Sequence, residues 1–307
     1  MRVYVTGADG MLGTALVAAL REDPATVGWP LLGVSLDDFD IGDGPAIRAS
    51  VAEFRPDAVV HTAAHAIVDD CEADPKLALR VNVAGVRNIA DACRAAGSRL
   101  VYISSDYVFD GAAAPPGGYR EGDIPNPLNM YGLTKLAGER IAGLLDGHLN
   151  VRTSWLFGGN DERVDTVLAT VRQASRGERL RLIADQFSIP TYAADLAQAL
   201  IFLLARPAVV GTIHAANRGT ASWYQVGTYL LSELNGFRSG VAGAEPVALA
   251  DCGFLGQRPS DSTLNTDRLA ELGCPMPGWR DAVTRFCRRL AATGPASCTS
   301  FPESANG

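Results

Sequence analysis

Lysine is almost missing from this chain of 307 residues: among 27 basic side chains only Lys76 and Lys135 are lysines, and arginine supplies the rest. Basic charge is itself in deficit, with 34 acidic residues and a formal charge of −7. That balance excludes the clustered positive surface on which nucleic-acid binding depends. No apolar run reaches the ~18 residues of a membrane span, and no charged-then-apolar leader precedes a cleavage site, so no membrane partner is expected. The six cysteines (Cys71, Cys93, Cys252, Cys274, Cys287, Cys298) form no CxxC pair and no Cys/His ligand spacing. Reduced thiols, a cytoplasmic setting and no metal site are the expectation. Internal repeats are also missing.

What remains is ordinary globular composition, 47% hydrophobic and 20% charged, in a chain long enough for a large core. Short β-rich runs, "RVYVT" (2–6), "LLGVS" (31–35), "DAVVHT" (57–62), "RLVYIS" (99–104) and "LNVRTS" (149–154), alternate with helical patterns near 11–22, 45–54, 75–96 and 129–145. This alternation predicts an α/β fold, a doubly wound parallel sheet of the Rossmann type with right-handed crossovers. After about residue 155 the rhythm loosens. Helical patterns near 162–175, 193–206, 222–235 and 279–290 alternate with "RLRLIADQFSIPT", "GTIHAAN" and a Gly/Pro-rich region around 236–260. The expected organisation is a dinucleotide-binding domain over 1–155, a smaller mixed lobe over 156–292 folded against it, and a tail over 293–307.

"VTGADGMLG" sets Gly7, Gly10 and Gly13 at the end of the first strand and the start of a helix, where glycines let the backbone approach a pyrophosphate held at the positive helix end. Asp9, Met11 and Leu12 belong to the same loop. At the end of the second strand, where an acid commonly bonds the adenosine ribose, stands the neutral Ser35. NADPH is therefore not excluded, although no nearby arginine clearly recruits its 2′-phosphate; NADPH is taken as the expected cofactor, with NADH also admitted.

Tyr131 and Lys135 are four residues apart on one helix face. Random placement of eight tyrosines and two lysines gives roughly 0.05 such pairs at this spacing. Arg140 on the same helix shows that arginine serves there for solvation. A lysine offers a compact ammonium on a flexible stem. It can bond a ribose and draw a nearby phenol down from about 10 toward the working pH, so that the phenol can hand a proton to a ketone. Ser105, in the loop after the fourth strand, is placed to hold that ketone oxygen. A loop serine capping backbone groups is the plainer reading of Ser105 taken alone.

The glycine spacing resembles the extended short-chain dehydrogenase/reductase superfamily. "HTAAHAIVDDCEADP", "ISSDYVFDG", "NPLNMYGLTKLAGE", "RTSWLFG", "DQFSIPT" and "RPSDSTLNTDRLAELG" stand in the order found in dTDP-4-dehydrorhamnose reductases and their close relatives, from residue 1 to about 290. The resemblance implies reduction of the C4 ketone of a dTDP-linked 4-keto-6-deoxyhexose, with Tyr131 as acid, Ser105 on the ketone oxygen and Lys135 on the ribose. It further implies that Asp40 and Ile41 lie at the adenine, that Ala63, Ala64 and His65 line the cofactor groove, and that Asn82 organises the cofactor-side backbone. A helix-bending role is the other reading of Asn82. Val68, Asp106, Tyr107, Trp155 and Gln186 would meet the sugar, Arg258 the diphosphate, and Pro190 and Thr191 would help close the pocket. Family members are often dimers, although no self-complementary apolar stripe is visible. Ala66, Ser188 and Met11 depart from the common threonine, glycine and glutamine. The first two touch the sugar pocket, which leaves the exact hexose open. A non-catalytic sugar-nucleotide-binding subunit and an epimerase on the same scaffold are the alternatives.

Overall fold

The computed structural model describes residues 1–235 and 243–292; the expected tail, 293–307, lies outside them. Six parallel strands form the central sheet: β1 (Val3–Thr6), β2 (Leu31–Val34), β3 (Ala58–His61), β4 (Arg99–Ser105), β5 (Leu149–Thr153) and β6 (Gly211–His214), in the order 6-5-4-3-1-2. Every residue of β1, β3 and β5 is buried, because side chains on both faces are covered. Val5, Val60, Val101 and Val151 pack toward Leu12, Leu16, Leu196 and Leu200, from helices Met11–Glu22 and Ala193–Leu204. Their strand neighbours Tyr4, Val59, Leu100 and Tyr102 face the other way, onto Ile47, Val51, Ile89 and Cys93 from helices Gly44–Phe54 and Val86–Ala96. Period-2 alternation with two apolar faces is what forces helices onto both sides of the sheet.

Five of the six strands fall where the β-rich runs predict them. β6 does not, since "GTIHAAN" reads as a connecting segment. It is an edge strand with only Ile213 and His214 buried, and with Ile213 as its one aliphatic residue it carries no apolar run. The helix expected over 75–96 is interrupted: Pro75–Leu79 and Val86–Ala96 flank a π-helical turn, Arg80–Gly85, which contains Asn82.

Beyond β5 the chain contributes to two bodies. Helix Ala193–Leu204 and β6 complete the sheet layer. A separate apolar cluster gathers Phe157, Leu168, Leu180, Tyr192, Leu230, Trp279 and Phe286, next to a two-stranded parallel pairing of Leu180–Ile183 with Ala244–Val247. This second body stands over the C-terminal ends of the strands and supplies one wall of the cleft described below.

Candidate active site

The strand order reverses between β1 and β3, and ligands of open parallel sheets bind outside such a switch point. Gly7 leaves β1 with a φ of +64°, and a Cβ there would lie 2.8 Å from the backbone of Ala63 beyond β3. A Cβ on Gly13 would lie 2.0 Å from the Gly7 carbonyl oxygen. These contacts, with the Thr62 hydroxyl donating to the Thr6 oxygen at 2.6 Å, hold the two loops together. Helix Met11–Glu22 starts at Gly10 with no side-chain cap and no acid in its first turn, so its N–H groups and positive end stay available to an anion.

Tyr131 and Lys135 are carried by helix Met130–Ala142, capped by the Asn129 side chain on the Gly132 N–H at 2.8 Å. The helix lies hard against β4 because glycines face it: a Cβ would come within 2.1 Å of the Tyr107 carbonyl oxygen at Gly132 and 2.2 Å of the Tyr102 hydroxyl at Gly138. That closeness buries Lys135 and sets its ammonium 4.5 Å above the Tyr102 ring. Burial pushes the Lys135 amine down to about 7, against an opposing pull from Glu139. Burial also pushes the Tyr131 phenol up, with the nearby Ser105 hydroxyl pulling the other way and the charge of Asp106 adding to the rise. The expectation that Lys135 draws this phenol down is therefore corrected: in this dry wall, loss of solvation outweighs the neighbouring groups.

Ser105 ends β4. Its Oγ accepts the Tyr107 N–H at 3.1 Å and donates to Asp106 Oδ1 at 3.1 Å. The Tyr107 hydroxyl receives the Gln186 amide at 3.3 Å, and its ring meets Tyr131 edge-on with centroids 6.1 Å apart. Across the cleft Trp155 stacks on Trp223, 4.1 Å apart and 11° from parallel. Trp155 holds a φ of +37°, a strained conformation for a bulky residue and one that tends to occur at working sites. Arg258 is drawn to Asp69 at 2.7 Å and lies over the Phe254 ring at 4.3 Å.

Together these walls enclose a cleft of about 690 Å³. Of the residues singled out in the sequence, Gly10, Met11, Leu12, Gly13, Ala64, Ala66, Val68, Ser105, Tyr107, Tyr131, Lys135, Trp155, Gln186 and Arg258 line it. Others stand behind it. Gly7 and Ala63 form the loop crossing. Asn82 receives the His65 N–H at 2.8 Å and donates to the His65 oxygen at 2.9 Å and to Thr134 Oγ1 at 3.0 Å, joining the loop after β3 to the Tyr131 helix. Ile41 is packed in the core, and Asp40 pairs with Arg80 at 2.6 Å. Asp9 is exposed at the loop tip, and Ser35 is half-buried at the end of β2. Asp106, which the resemblance places on the sugar, is instead buried behind Ser105 and does not line the cleft. Thr62, Arg181, Trp223 and Phe254 line the cleft without having been singled out. An exposed arginine inside the β-rich "RLRLIAD" was the available signal for Arg181; Trp223 had none, since only the fold brings it to Trp155.

The sequence profile of the RmlD substrate binding domain family matches residues 1–292. The chain belongs to this family. Within it, a Streptomyces griseus protein named dTDP-4-dehydrorhamnose reductase is 38% identical over 290 residues, covering 92% of each chain. A Streptomyces niveus protein named dTDP-4-keto-6-deoxy-D-glucose reductase is 36% identical over 92% of this chain and 96% of its own. The crystal structure of a Bacillus anthracis dTDP-4-dehydrorhamnose reductase in complex with NADP superposes with a TM-score of 0.86 at 33% identity, covering 94% of this chain and 99% of that one. The RmlD-family fold therefore extends over the cleft and both of its walls.

Proposed function

We propose that this chain is an NADPH-dependent 4-ketoreductase of a dTDP-linked 4-keto-6-deoxyhexose, forming dTDP-L-rhamnose or the product of a close deoxysugar pathway. The observation that carries the reading is the convergence of Ser105, Tyr131 and Lys135 on one cleft with an uncapped, glycine-opened helix end. The donor set fits a reduced dinucleotide: free N–H groups for its pyrophosphate and a buried ammonium for its ribose. NADPH, when bound, supplies the hydride that goes to C4. Tyr131 supplies the proton to the C4 oxygen as the alkoxide forms, so ketone, hydride and proton give the alcohol. Ser105 holds that oxygen in place, and Lys135 orients the ribose. Tyr107, Gln186 and Trp155 form the sugar wall, Arg258 serves the diphosphate, and all of these groups come from one chain. The names of the Streptomyces relatives and of the NADP-bound Bacillus structure support the substrate class and the cofactor.

The test is loss of absorbance at 340 nm on mixing the protein, NADPH and a dTDP-4-keto-6-deoxy sugar. One equivalent of cofactor consumed per alcohol formed is expected. Saturable NADPH binding without turnover would instead indicate a binding subunit, and sugar conversion without net cofactor loss an epimerase. In the same assay Tyr131→Phe is expected to lower kcat at least ~100-fold with little change in cofactor affinity. Near-normal turnover of that variant would remove Tyr131 from the proton path.

A further inference from the structure

Asp106 was expected on the sugar, but both of its oxygens are engaged behind the cleft wall. Oδ1 accepts the Ser105 hydroxyl at 3.1 Å. Oδ2 accepts two more, from Ser188 at 2.8 Å and Ser262 at 2.5 Å. A serine hydroxyl has one hydrogen, and all three here are given to a single buried carboxylate. The consequence for Ser105 is directional: with its hydrogen turned inward, its oxygen is left to accept, and it does so from the Tyr107 N–H. Ser105 and Tyr131 line the same cleft.

We propose that Asp106 is a positioning residue for the reaction: by accepting the Ser105 hydroxyl it holds Ser105 Oγ in place in the cleft wall that Tyr131 also lines, while Ser188 and Ser262, from much later in the chain, anchor the carboxylate. The inference rests on the proposed reductase chemistry. In the resting cleft the one Ser105 hydrogen lies on Asp106, and Ser105 grips the ketone by turning that hydrogen to the substrate oxygen from a position that Asp106 has already set. Three donated hydroxyls require an ionised acceptor, since a proton on Asp106 must itself be donated and forces one serine to turn round. Burial pushes this carboxyl up to about 6, opposed by the three serine hydrogen bonds. The ionisable groups facing Asp106 are Tyr107 on its own turn and Tyr131 from helix Met130–Ala142, with Arg258 acting on Tyr107. From later in the chain, the neutral Ser188 and Ser262 complete its surroundings.

The experiment is the pH profile of kcat for the full chain with NADPH and the keto sugar, compared with Asp106→Asn and Ser188→Ala. For the parent, kcat is expected to fall as pH drops through about 6, because the protonated carboxyl loses the arrangement. Asp106→Asn, of nearly the same shape, is expected to lower kcat about tenfold, the scale of one charge-assisted hydrogen bond, and to abolish the acid limb, with the NADPH KM unchanged. Ser188→Ala keeps the carboxylate but removes one hydrogen bond that favours its charge, so its acid limb is expected to move to higher pH. An Asp106→Asn enzyme with the parent's kcat and acid limb, or one altered only in KM, overturns the proposal. If that variant does not fold, an unmoved limb in Ser188→Ala does so. A parent without turnover sinks the proposed function and this inference with it; a working parent whose profile neither variant moves sinks the inference alone.

Discussion

At the residue scale, Lys135 answers for its own rarity. Burial without a contacting carboxylate is costly for an ammonium and depresses its pKa to about 7. The sign of the resulting pH dependence follows from linkage. Between about 7 and 10.5 the unfolded chain binds the proton more readily than the folded one, so stability rises with pH through that window. The destabilisation is complete below it and absent above it. Lys135→Met should therefore melt at a higher temperature than the parent at pH 7, with the advantage fading as pH approaches 10.5. Calorimetry across that range checks it, and equal melting temperatures at pH 7 would contradict the burial argument. Asp38 offers a second test. The sequence places the neutral Ser35 at the end of β2, yet the Asp38 carboxylate folds back to accept the Ser35 N–H at 2.8 Å. Asp38 thus lies beside the residue that follows β2, the position at which such folds meet the adenosine ribose. Asp38→Ala is expected to shift the ratio of kcat/KM for NADPH over NADH severalfold toward NADPH. An unchanged ratio would remove Asp38 from cofactor choice.

At the element scale, helix Met130–Ala142 works because it can approach β4. Gly132 has no room for a methyl group, its Cβ position being 2.1 Å from a backbone oxygen that cannot rotate away. Gly132→Ala should displace the helix, destabilise the fold by about 1–3 kcal/mol as overpacking does, and lower kcat through misplacement of Tyr131. The exposed neighbour Leu133 provides the control, since Leu133→Ala should leave both quantities nearly unchanged. Unfolding by urea with parallel kinetics distinguishes the two variants. The π-helical turn at Arg80–Gly85 is a second element-scale device. It breaks the register of a helix that the sequence reads as continuous and places Asn82 between His65 and Thr134. Hydrophobic periodicity identifies such a helix but does not register one extra residue in a turn, so the π-helical turn and the Thr134 partner of Asn82 were visible only in the fold, although Asn82 itself had been singled out.

At the scale of the whole molecule, the Tyr131 helix is locked to the sheet by one buried ion pair. Glu139 receives both arms of Arg152, at 2.7 and 2.8 Å, with both side chains 4% exposed. Arg152 lies in β5 and reaches His214 in β6 at 3.4 Å, so the pair spans helix and sheet edge. Removing one partner leaves a buried charge uncompensated, and Glu139→Gln should cost about 3–5 kcal/mol of stability. A denaturation midpoint within experimental error of the parent's would show that the pair is replaceable.

The α/β class, five of the six sheet strands, the glycine loop and the Tyr131–Lys135 pair were written in the sequence, because each depends on neighbours within a few positions: alternation of apolar residues, glycines at a strand end, two side chains one helical turn apart. Tertiary structure alone decided the rest. It set Trp223 against Trp155, brought Ser188 and Ser262 to Asp106 from 82 and 156 residues away, and moved Asp106 from the expected sugar face to the rear of the wall. It also reversed the expected direction of the Tyr131 shift, since desolvation depends on everything packed around a phenol and not on the lysine four residues along its helix.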